Sequence, residues 1–301
     1  MAIEKIFVVG AGLMGSGIAQ NAITAGYTVT LNDQNMAALE RAKGNIEKML
    51  RRDVEKGRMA AEDCDAALAR LSLDETIESA KDADLVIEAI FENLEAKQAV
   101  FQKLEAVCPE HTIFASNTSS ISLTALAAAT KRPSRVIGMH FFSPVPKMRL
   151  CEVIYGLTTA PEVLTEIGSV GKKMGKTLIL SDDKPGFIVN RILLPMLNEA
   201  CGVAGRKIGT VEDVDEGMKL GCNHPMGPLE LADMIGLDIL LNVMTVLHTE
   251  YGDKYHPSMI LRKMVRAGFL GRKSGAGFYL YENGKKTIVN PALTRVHSLE
   301  R

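Results

Sequence analysis

The sequence predicts an α/β protein in which a doubly wound, mostly parallel sheet is followed by a smaller all-helical domain. Three observations support this prediction. Short apolar runs alternate with helical patterns through the first part of the chain, and a glycine-rich turn joins the first run to the first helix. Strand-like runs nearly vanish after Pro185-Gly186. We therefore place the boundary near residue 184, which gives domains of residues 1–184 and 185–301.

The first domain opens with a strand, a turn, a helix and a second strand. Residues 3–9 form a short apolar run, and residues 16–25 have small and apolar side chains at helical spacing. Between them lies the turn from Gly10 to Gly15. The second strand, residues 28–32, ends at an acid, Asp33.

The remaining elements of this domain alternate in the same way. Helices are predicted over residues 35–57, 94–107 and 162–174. Strands are predicted over residues 84–90, 112–115, 135–139, 150–155 and 176–180. Mostly apolar strands of this kind are typical of a sheet that helices cover on both faces.

The second domain is predicted to contain helices alone. Residues 187–205 form one long helix with a kink at Pro195. Thr210 and Asp213 have the spacing of a capping box at a helix start. Further helices are predicted over residues 210–221, 228–236 and 238–251.

Composition and charge narrow the class of protein. The 301 residues carry a net charge of -1, which argues against a nucleic-acid surface or a polybasic membrane anchor. Asp238 and Asn242 interrupt the longest apolar run, so no uninterrupted apolar run approaches the roughly 18 residues that a membrane helix needs. The N-terminus has no signal-peptide pattern, and the 5 cysteines include no CxxC pair. We expect reduced thiols in a cytoplasmic protein.

The turn Gly10-x-Gly12-x-x-Gly15 has the spacing of a dinucleotide-binding turn. Gly10 permits the tight turn, Gly12 leaves room for a pyrophosphate, and Gly15 lets the helix pack close to the strand. Unpaired N–H groups at the helix N-terminus favour the phosphates. Asp33 is placed to accept hydrogen bonds from the adenosine ribose and to repel a 2′-phosphate. These features predict a Rossmann-type domain that binds NAD rather than NADP.

Polar side chains concentrate after two later strands. Asn117-Thr-Ser119-Ser120 follows one strand and His140 follows the next, so both are expected at the carboxyl edge of the sheet. Glu152 lies in an otherwise apolar strand, where a carboxylate is costly unless it is paired, and His140 is its natural partner. Such a pair suits a proton acceptor beside a hydride acceptor. A hydrogen-bonded core histidine and a structural ion pair are the alternatives on spacing alone.

Several longer motifs extend over essentially the whole chain. They are Gly10-Ala-Gly-Leu-Met-Gly-Ser-Gly-Ile-Ala19, Ala115-Ser-Asn-Thr-Ser-Ser120, His140-Phe-Phe-Ser-Pro-Val-Pro146, Lys184-Pro-Gly-Phe-Ile-Val-Asn-Arg191, His224-Pro-Met-Gly-Pro228 and Gly271-Arg-Lys-Ser-Gly-Ala-Gly-Phe-Tyr279. On these motifs the sequence resembles the 3-hydroxyacyl-CoA dehydrogenase family, most closely its short monofunctional bacterial 3-hydroxybutyryl-CoA branch. The resemblance implies NAD-dependent oxidation of (3S)-3-hydroxyacyl-CoA to 3-oxoacyl-CoA, or the reverse reduction.

The resemblance also implies roles for individual residues. His140 would be the general base in oxidation and the acid in reduction, and Glu152 would orient it. Ser119 and Asn190 would hydrogen-bond the substrate, and Lys56 would contact the coenzyme A moiety. Residues implied at the dinucleotide, besides the three glycines and Asp33, are Leu13, Met14, Glu92, Lys97, Asn117, Ser119, Ser143 and Lys273.

No metal site is predicted from the sequence. His111, His248, His256 and His297 lack a carboxylate partner or metal-type spacing, so surface or packing roles are expected for them. His224, beside two prolines, is expected to shape a helix entrance.

Two other functions are the alternatives to this interpretation. The first alternative is another two-domain dehydrogenase, of the 2-hydroxyacid or phosphogluconate type. The pair of His140 and Glu152 argues against it. A non-catalytic NAD-binding protein is the other, and it predicts cofactor binding without turnover. Apolar helix faces in residues 185–301, together with the resemblance, predict a homodimer.

Overall fold

Residues 3–294 are described by a computed structural model, and the chain divides into two units between Phe187 and Ile188. This division lies three residues beyond the boundary predicted at residue 184. Each unit has a hydrophobic core of its own.

The first unit alternates strands and helices as predicted. Its strands are β1 Lys5–Val9, β2 Thr28–Asn32, β3 Leu71–Asp74, β4 Leu85–Glu88, β5 Ile113–Ser116, β6 Val136–Phe141, β7 Leu150–Tyr155 and β8 Thr177–Asp182. Its helices are α1 Leu13–Thr24, α2 Met36–Glu55, α3 Ala61–Leu68, α4 Leu94–Val107, α5 Leu123–Ala127 and α6 Pro161–Lys173. Short 3-10 helices lie at Ile77–Asp82 and Pro133–Arg135.

The strands form one sheet in the order β3-β2-β1-β4-β5-β6-β7-β8. Ile6 and Val8 of β1 pack into the core that includes α1 and α6, whereas Phe7 and Val9 pack into the core that includes α4 and α5. Successive side chains of a strand point to opposite faces, so this single apolar run serves both cores. The doubly wound α/β fold is thereby confirmed.

One pair of neighbouring strands in this sheet is antiparallel. Strands β6 and β7 run in opposite directions, while every other neighbouring pair is parallel. The antiparallel register places His140 directly opposite Glu152. Strand β3 was not predicted, because its four residues are mostly half-buried at the sheet edge and carry no continuous apolar run.

The second unit is mainly helical. Its helices are α7 Val189–Gly205, α8 Val211–Cys222, α9 Pro228–Ile235, α10 Leu237–Tyr251, α11 Met259–Arg266 and α12 Pro291–Thr294, with 3-10 helices at Asp253–Tyr255 and Arg272–Ser274. The predicted capping box is confirmed, since Thr210 and Asp213 exchange side-chain and backbone hydrogen bonds at the start of α8. No single described helix has the length and apolar character to cross a membrane, and the one pair that passes together, α9 and α10, is bent by 95°.

The prediction that this unit contains helices alone was wrong. Strands β9 Tyr279–Glu282 and β10 Lys285–Val289 form an antiparallel hairpin. Asn283 and Gly284 both have positive φ in the connecting turn, and this dipeptide is the sequence signal that would have located it. Helix α7 also starts two residues later than predicted, because Phe187 has a φ of 47° that a right-handed helix excludes.

Two buried aspartates join the elements of the second unit. The carboxylate of Asp215 accepts the Leu229 N–H at 2.7 Å and the Tyr279 hydroxyl at 2.8 Å. Asp233 accepts the N–H groups of Phe278 and Tyr279, both at 2.9 Å. Burial raises the pKa of Asp233 to about 6, despite these hydrogen bonds. The hairpin is therefore held to α9 by charge-assisted hydrogen bonds in the interior.

Candidate active site

The glycine turn after β1 is shaped by steric contacts at two positions. Gly10 has a φ of 104°, a conformation that L side chains rarely adopt. A Cβ on Gly15 would lie 1.8 Å from the Gly10 carbonyl oxygen, so α1 packs against the strand end only because the side chain is absent. A Cβ on Gly12 would meet no protein atom within 4 Å. Open space at Gly12 fits the close approach of a phosphate to the backbone.

A cleft of about 1020 Å³ opens beside this turn. It lies where the strand order reverses between β1 and β4, the crevice in which doubly wound sheets bind ligands. Gly10, Gly12 and Asp33 line it. The Asp33 carboxylate accepts the Ala11 N–H at 2.9 Å and the Asn35 N–H at 3.1 Å, so its position at the cleft is held by the backbone.

Leu13 and Met14 occupy the first turn of α1, directly after this glycine turn. Leu13 is 74% exposed and Met14 is half-buried. An exposed leucine at a helix N-terminus is costly in water, and a bound dinucleotide would cover it. The turn, the cleft and these side chains together fit NAD.

His140 lies in a continuous chain of hydrogen bonds. Its Nδ1 is 2.7 Å from Glu152 Oε2, and its Nε2 is 3.1 Å from Ser119 Oγ. Glu152 is fully buried and His140 is 5% exposed. A buried carboxylate at Nδ1 favours the tautomer that carries its proton on Nδ1, which leaves Nε2 as the acceptor that faces Ser119. The carboxylate also stabilises the imidazolium. The structure therefore joins three of the four predicted catalytic residues in one array.

Two aromatic rings enclose this imidazole. The ring of Phe142 lies 4.7 Å from the His140 ring, centroid to centroid, and the ring of Phe187 lies at 5.6 Å. Both were missed by the sequence analysis because an apolar side chain carries no chemical signal by itself. These rings lower the local dielectric around the histidine and its carboxylate, which strengthens their electrostatic interaction.

An ionic network that extends from the interior to the surface supports the loop that carries Ser119. Glu92 Oε1 accepts the Ser119 N–H at 2.9 Å and the Ser120 N–H at 3.0 Å. Burial raises the pKa of Glu92, but the Lys97 ammonium and the hydrogen bonds from this loop outweigh it, so the pKa lies below the ordinary value. Glu92 is therefore ionised and clamps the loop that places Ser119 at His140.

Lys97 lies beneath this loop and is 1% exposed. Its Nζ is 2.7 Å from Glu88 Oε1 and 3.3 Å from Glu92 Oε2. Glu88 also accepts the Ser116 hydroxyl at 2.6 Å. The family motifs pointed to Glu92 and Lys97, and Glu88 is a carboxylate within an apolar strand, but no sequence spacing indicates that the three form one network. The ammonium acts here as a counter-ion to two carboxylates, and its direct contact with a dinucleotide stays a prediction.

Asn117 and Ser143 flank the end of β6. Asn117 Oδ1 accepts the Phe141 N–H at 2.9 Å, which joins the loop after β5 to the strand that carries His140. Ser143 is exposed, in the loop that follows this strand. Lys176 supports that loop, because its Nζ donates to the carbonyls of Val145 at 2.6 Å and Met148 at 2.9 Å. Burial lowers the pKa of Lys176 below its ordinary value.

The other predicted residues lie outside this array. Lys56 caps the C-terminus of α2 and is exposed, as contact with a large polar substrate requires. Asn190, the second residue of α7, and Lys273 belong to the second unit. The Lys273 ammonium lies 2.6 Å from the Asp238 carboxylate. The roles of these three residues stay predictions.

The expectation that the remaining histidines lack carboxylate partners was wrong for two of them. His111 Nε2 lies 3.3 Å from Asp84 Oδ1, and His248 Nε2 lies 3.0 Å from Asp253 Oδ1. The partner of His111 is 27 residues away, across β4 and β5, so sequence spacing could not reveal it. His297 lies outside the described residues.

Comparison with known proteins places both units in one family. Residues 5–184 match the 3-hydroxyacyl-CoA dehydrogenase NAD binding domain, and residues 186–281 match the 3-hydroxyacyl-CoA dehydrogenase C-terminal domain. A probable 3-hydroxybutyryl-CoA dehydrogenase of Bacillus subtilis is 52% identical over 283 residues, covering 94% of this chain and 99% of that protein. A 3-hydroxybutyryl-CoA dehydrogenase of Clostridioides difficile is 46% identical over 278 residues, covering 92% of this chain and 99% of that protein.

The solved structures agree with these relatives. The crystal structure of (S)-3-hydroxybutyryl-CoA dehydrogenase from Ralstonia eutropha has a TM-score of 0.91 and 47% identity, covering 94% of this chain and 100% of that one. The chain therefore belongs to the 3-hydroxyacyl-CoA dehydrogenase family.

Proposed function

We propose that this protein catalyses the NAD-dependent oxidation of (3S)-3-hydroxyacyl-CoA to 3-oxoacyl-CoA, and the reverse reduction. The observation that carries the proposal is the array of Ser119, His140 and Glu152, whose strands β6 and β7 belong to the sheet from which the glycine turn emerges. A histidine with a buried carboxylate on one nitrogen and a hydroxyl on the other is suited to moving one proton. The glycine turn would provide the binding site for the dinucleotide cofactor that exchanges the hydride.

His140 moves the proton of the substrate. In oxidation, Nε2 accepts the proton of the C3 hydroxyl while Nδ1–H remains bonded to Glu152, so the new imidazolium faces a carboxylate 2.7 Å away. Ser119, 3.1 Å from Nε2, orients the substrate oxygen beside it. NAD, when bound, would supply the acceptor for the hydride that leaves C3. In reduction the imidazolium returns its proton to the carbonyl oxygen as that oxygen becomes negative.

The glycine turn and Asp33 would hold the dinucleotide, with Leu13 and Met14 beneath it. Preference for NAD over NADP is supported by the carboxylate of Asp33, which would repel a 2′-phosphate. A larger kcat/KM for NADPH than for NADH would contradict this assignment.

We further propose a short-chain acyl-CoA substrate, in line with the printed names of the relatives from Bacillus subtilis and Clostridioides difficile. Lys56 is the proposed contact to the coenzyme A phosphates, since an exposed ammonium there is free to pair with them. Lys56→Ala should raise KM for the CoA ester and leave KM for NADH unchanged. Unchanged kinetics would remove Lys56 from the substrate site.

The activity is tested by reduction of acetoacetyl-CoA by NADH, measured beside a long-chain 3-oxoacyl-CoA. We expect turnover with acetoacetyl-CoA, and a loss of roughly 10²–10⁴ in kcat for His140→Gln, the usual contribution of general acid–base catalysis. NADH binding without turnover of either ester would refute the proposal and indicate a non-catalytic NAD-binding protein.

A homodimer in the cytoplasm completes the proposal. Support for association comes from large apolar side chains on the surface of the second unit: Ile192, Ile208, Leu220 and Met259 are each at least 65% exposed. Four of the cysteines are buried as free thiols, which suits a reducing compartment. A monomer mass by light scattering at micromolar concentration would contradict the dimer.

A further inference from the structure

Two histidines and an aspartate converge where α10 ends. Gly252, with a φ of 84°, reverses the chain after Tyr251, and the 3-10 helix Asp253–Tyr255 folds back along the last turn of α10. This reversal brings Asp253 Oδ1 to 3.0 Å from His248 Nε2. The His256 ring meets the His248 ring edge-on, at 4.8 Å between centroids.

The backbone of this segment is held from the interior. Tyr255 is buried, and the Arg191 guanidinium lies 5.1 Å from the centroid of its ring. The side-chain amide of Asn198 brackets His256: Nδ2 donates to the His256 carbonyl at 3.1 Å, and Oδ1 accepts the Ser258 N–H at 2.7 Å. The three polar side chains thus project from a backbone that needs no rearrangement to present them together.

One ligand atom from each of His248, Asp253 and His256 lies within 4.8 Å of the other two. Around a dication with bonds of about 2.1 Å, tetrahedral ligand atoms lie about 3.4 Å apart. The remaining gap is within reach of side-chain rotation, because Asp253 is fully exposed and the His248 side chain is 32% exposed. Side-chain rotation alone can therefore bring the three ligand atoms to the spacing that a metal ion requires.

We infer that His248, Asp253 and His256 form a binding site for a divalent transition-metal ion of the Zn²⁺ class. Two imidazole nitrogens and one carboxylate oxygen are the donors this class prefers, whereas Mg²⁺ and Ca²⁺ prefer oxygen alone. Three protein ligands leave a fourth position for water. The bound ion would fasten the end of α10 to the segment that leads into α11, so the inference concerns the second unit and is independent of the dehydrogenase reaction.

The test is isothermal titration of ZnCl₂ into the tag-free, chelator-treated full-length protein. Wild type should bind one Zn²⁺ per chain, and Co²⁺ in its place should give the visible absorption of a four-coordinate ion. His248→Gln and His256→Gln should each weaken binding at least tenfold. His111→Gln is the matched control, because His111 also pairs with an aspartate, Asp84, but joins no cluster of metal ligands among the described residues.

Thermal unfolding gives a second measurement. Zn²⁺ should raise the Tm of wild type and of His111→Gln by a few degrees, and leave His256→Gln unchanged, since an ion that binds only the folded state stabilises it. Wild type that binds no Zn²⁺ at free concentrations up to about 100 micromolar would overturn the inference. So would equal binding by wild type and the His248→Gln/His256→Gln double variant. Acetoacetyl-CoA turnover should be the same in all these variants, so the proposed activity is judged separately.

Discussion

Replacing Glu152 with glutamine tests the electrostatic part of the proposed mechanism. The substitution keeps the size of the side chain and a hydrogen-bond acceptor for His140 Nδ1, but it removes the negative charge 2.7 Å from that atom. Because Glu152 is fully buried and His140 is 5% exposed, solvent cannot replace the lost charge. The effect should therefore fall on the protonated histidine and hardly on its position.

The magnitude follows from the geometry. Two unit charges about 4 Å apart in a medium of effective dielectric constant 20 attract by about 4 kcal/mol, which corresponds to roughly 10³ in rate. Part of this attraction is already replaced by the amide dipole of glutamine. We therefore expect Glu152→Gln to lower kcat for acetoacetyl-CoA reduction by roughly 10²–10³, with little change in the affinity for NADH.

The assay follows NADH absorbance at saturating acetoacetyl-CoA, with circular dichroism and thermal unfolding to verify the fold. Glu105→Gln is the matched control, since it removes a half-buried carboxylate that pairs with Arg132 at 3.1 Å in the same unit. It should cost stability, because Arg132 loses its largely buried counter-ion, and it should leave kcat within about twofold, because Glu105 has no contact with His140. If folded Glu152→Gln kept more than a third of wild-type kcat, the imidazolium would not depend on this carboxylate and the mechanism would be wrong.

Three other perturbations have expected outcomes. Gly15→Ala should unfold or displace α1, because the new Cβ would lie 1.8 Å from a carbonyl oxygen. Gly12→Ala should change the free energy of unfolding by less than about 0.5 kcal/mol and should weaken NADH binding, measured by fluorescence, at least tenfold. Equal folding defects in the two variants would contradict this expectation. Ser119→Ala, which loses the hydroxyl 3.1 Å from His140, should lower kcat about tenfold, while Ser120→Ala should stay within threefold; a larger loss at Ser120 would reverse the assignment. Burial raises the pKa of Asp233 to about 6, so Asp233 binds its proton more tightly in the folded state than in the unfolded state. Its contribution to stability should be complete below about pH 4 and should fall by about 3 kcal/mol as the pH rises through and above 6. Carboxyl NMR, assigned by Asp233→Asn, should show this titration near pH 6, and a midpoint near 4 would disprove it.

Local patterns were sufficient where neighbours in sequence are neighbours in space. The glycine turn, the acid at the end of β2 and the capping box at Thr210 each depend on residues within one element or its flanks. The pairing of His140 with Glu152 was also accessible, because the two strands are consecutive and a carboxylate in an apolar strand requires a partner. The family motifs then favoured a catalytic histidine over a core histidine, and that role stays a prediction.

Contacts between distant segments were not accessible in this way. Glu92, in the loop before α4, clamps the backbone at Ser119 and Ser120, and no spacing in the chain indicates that those loops meet. Phe187 is an apolar residue without any chemical signal, yet its ring lies 5.6 Å from the His140 ring, centroid to centroid. The hairpin at Asn283 was missed although its turn signal is present, because its two strands are short and mostly exposed and so carry no apolar pattern.

The amino-acid sequence by itself determined the chemistry available to this protein: a dinucleotide turn, the pairing of His140 with Glu152 and the motifs of a dehydrogenase family. Apolar periodicity and turn residues act over a few positions, so they specify strands, helices and their order. Only the tertiary structure decided the side-chain environment of that chemistry, namely the rings around His140, the buried charges beneath Ser119 and the histidine cluster at the end of α10. Those contacts depend on which segments the folded sheet and helices bring together, and hydrogen bonds and ion pairs act only over such short distances.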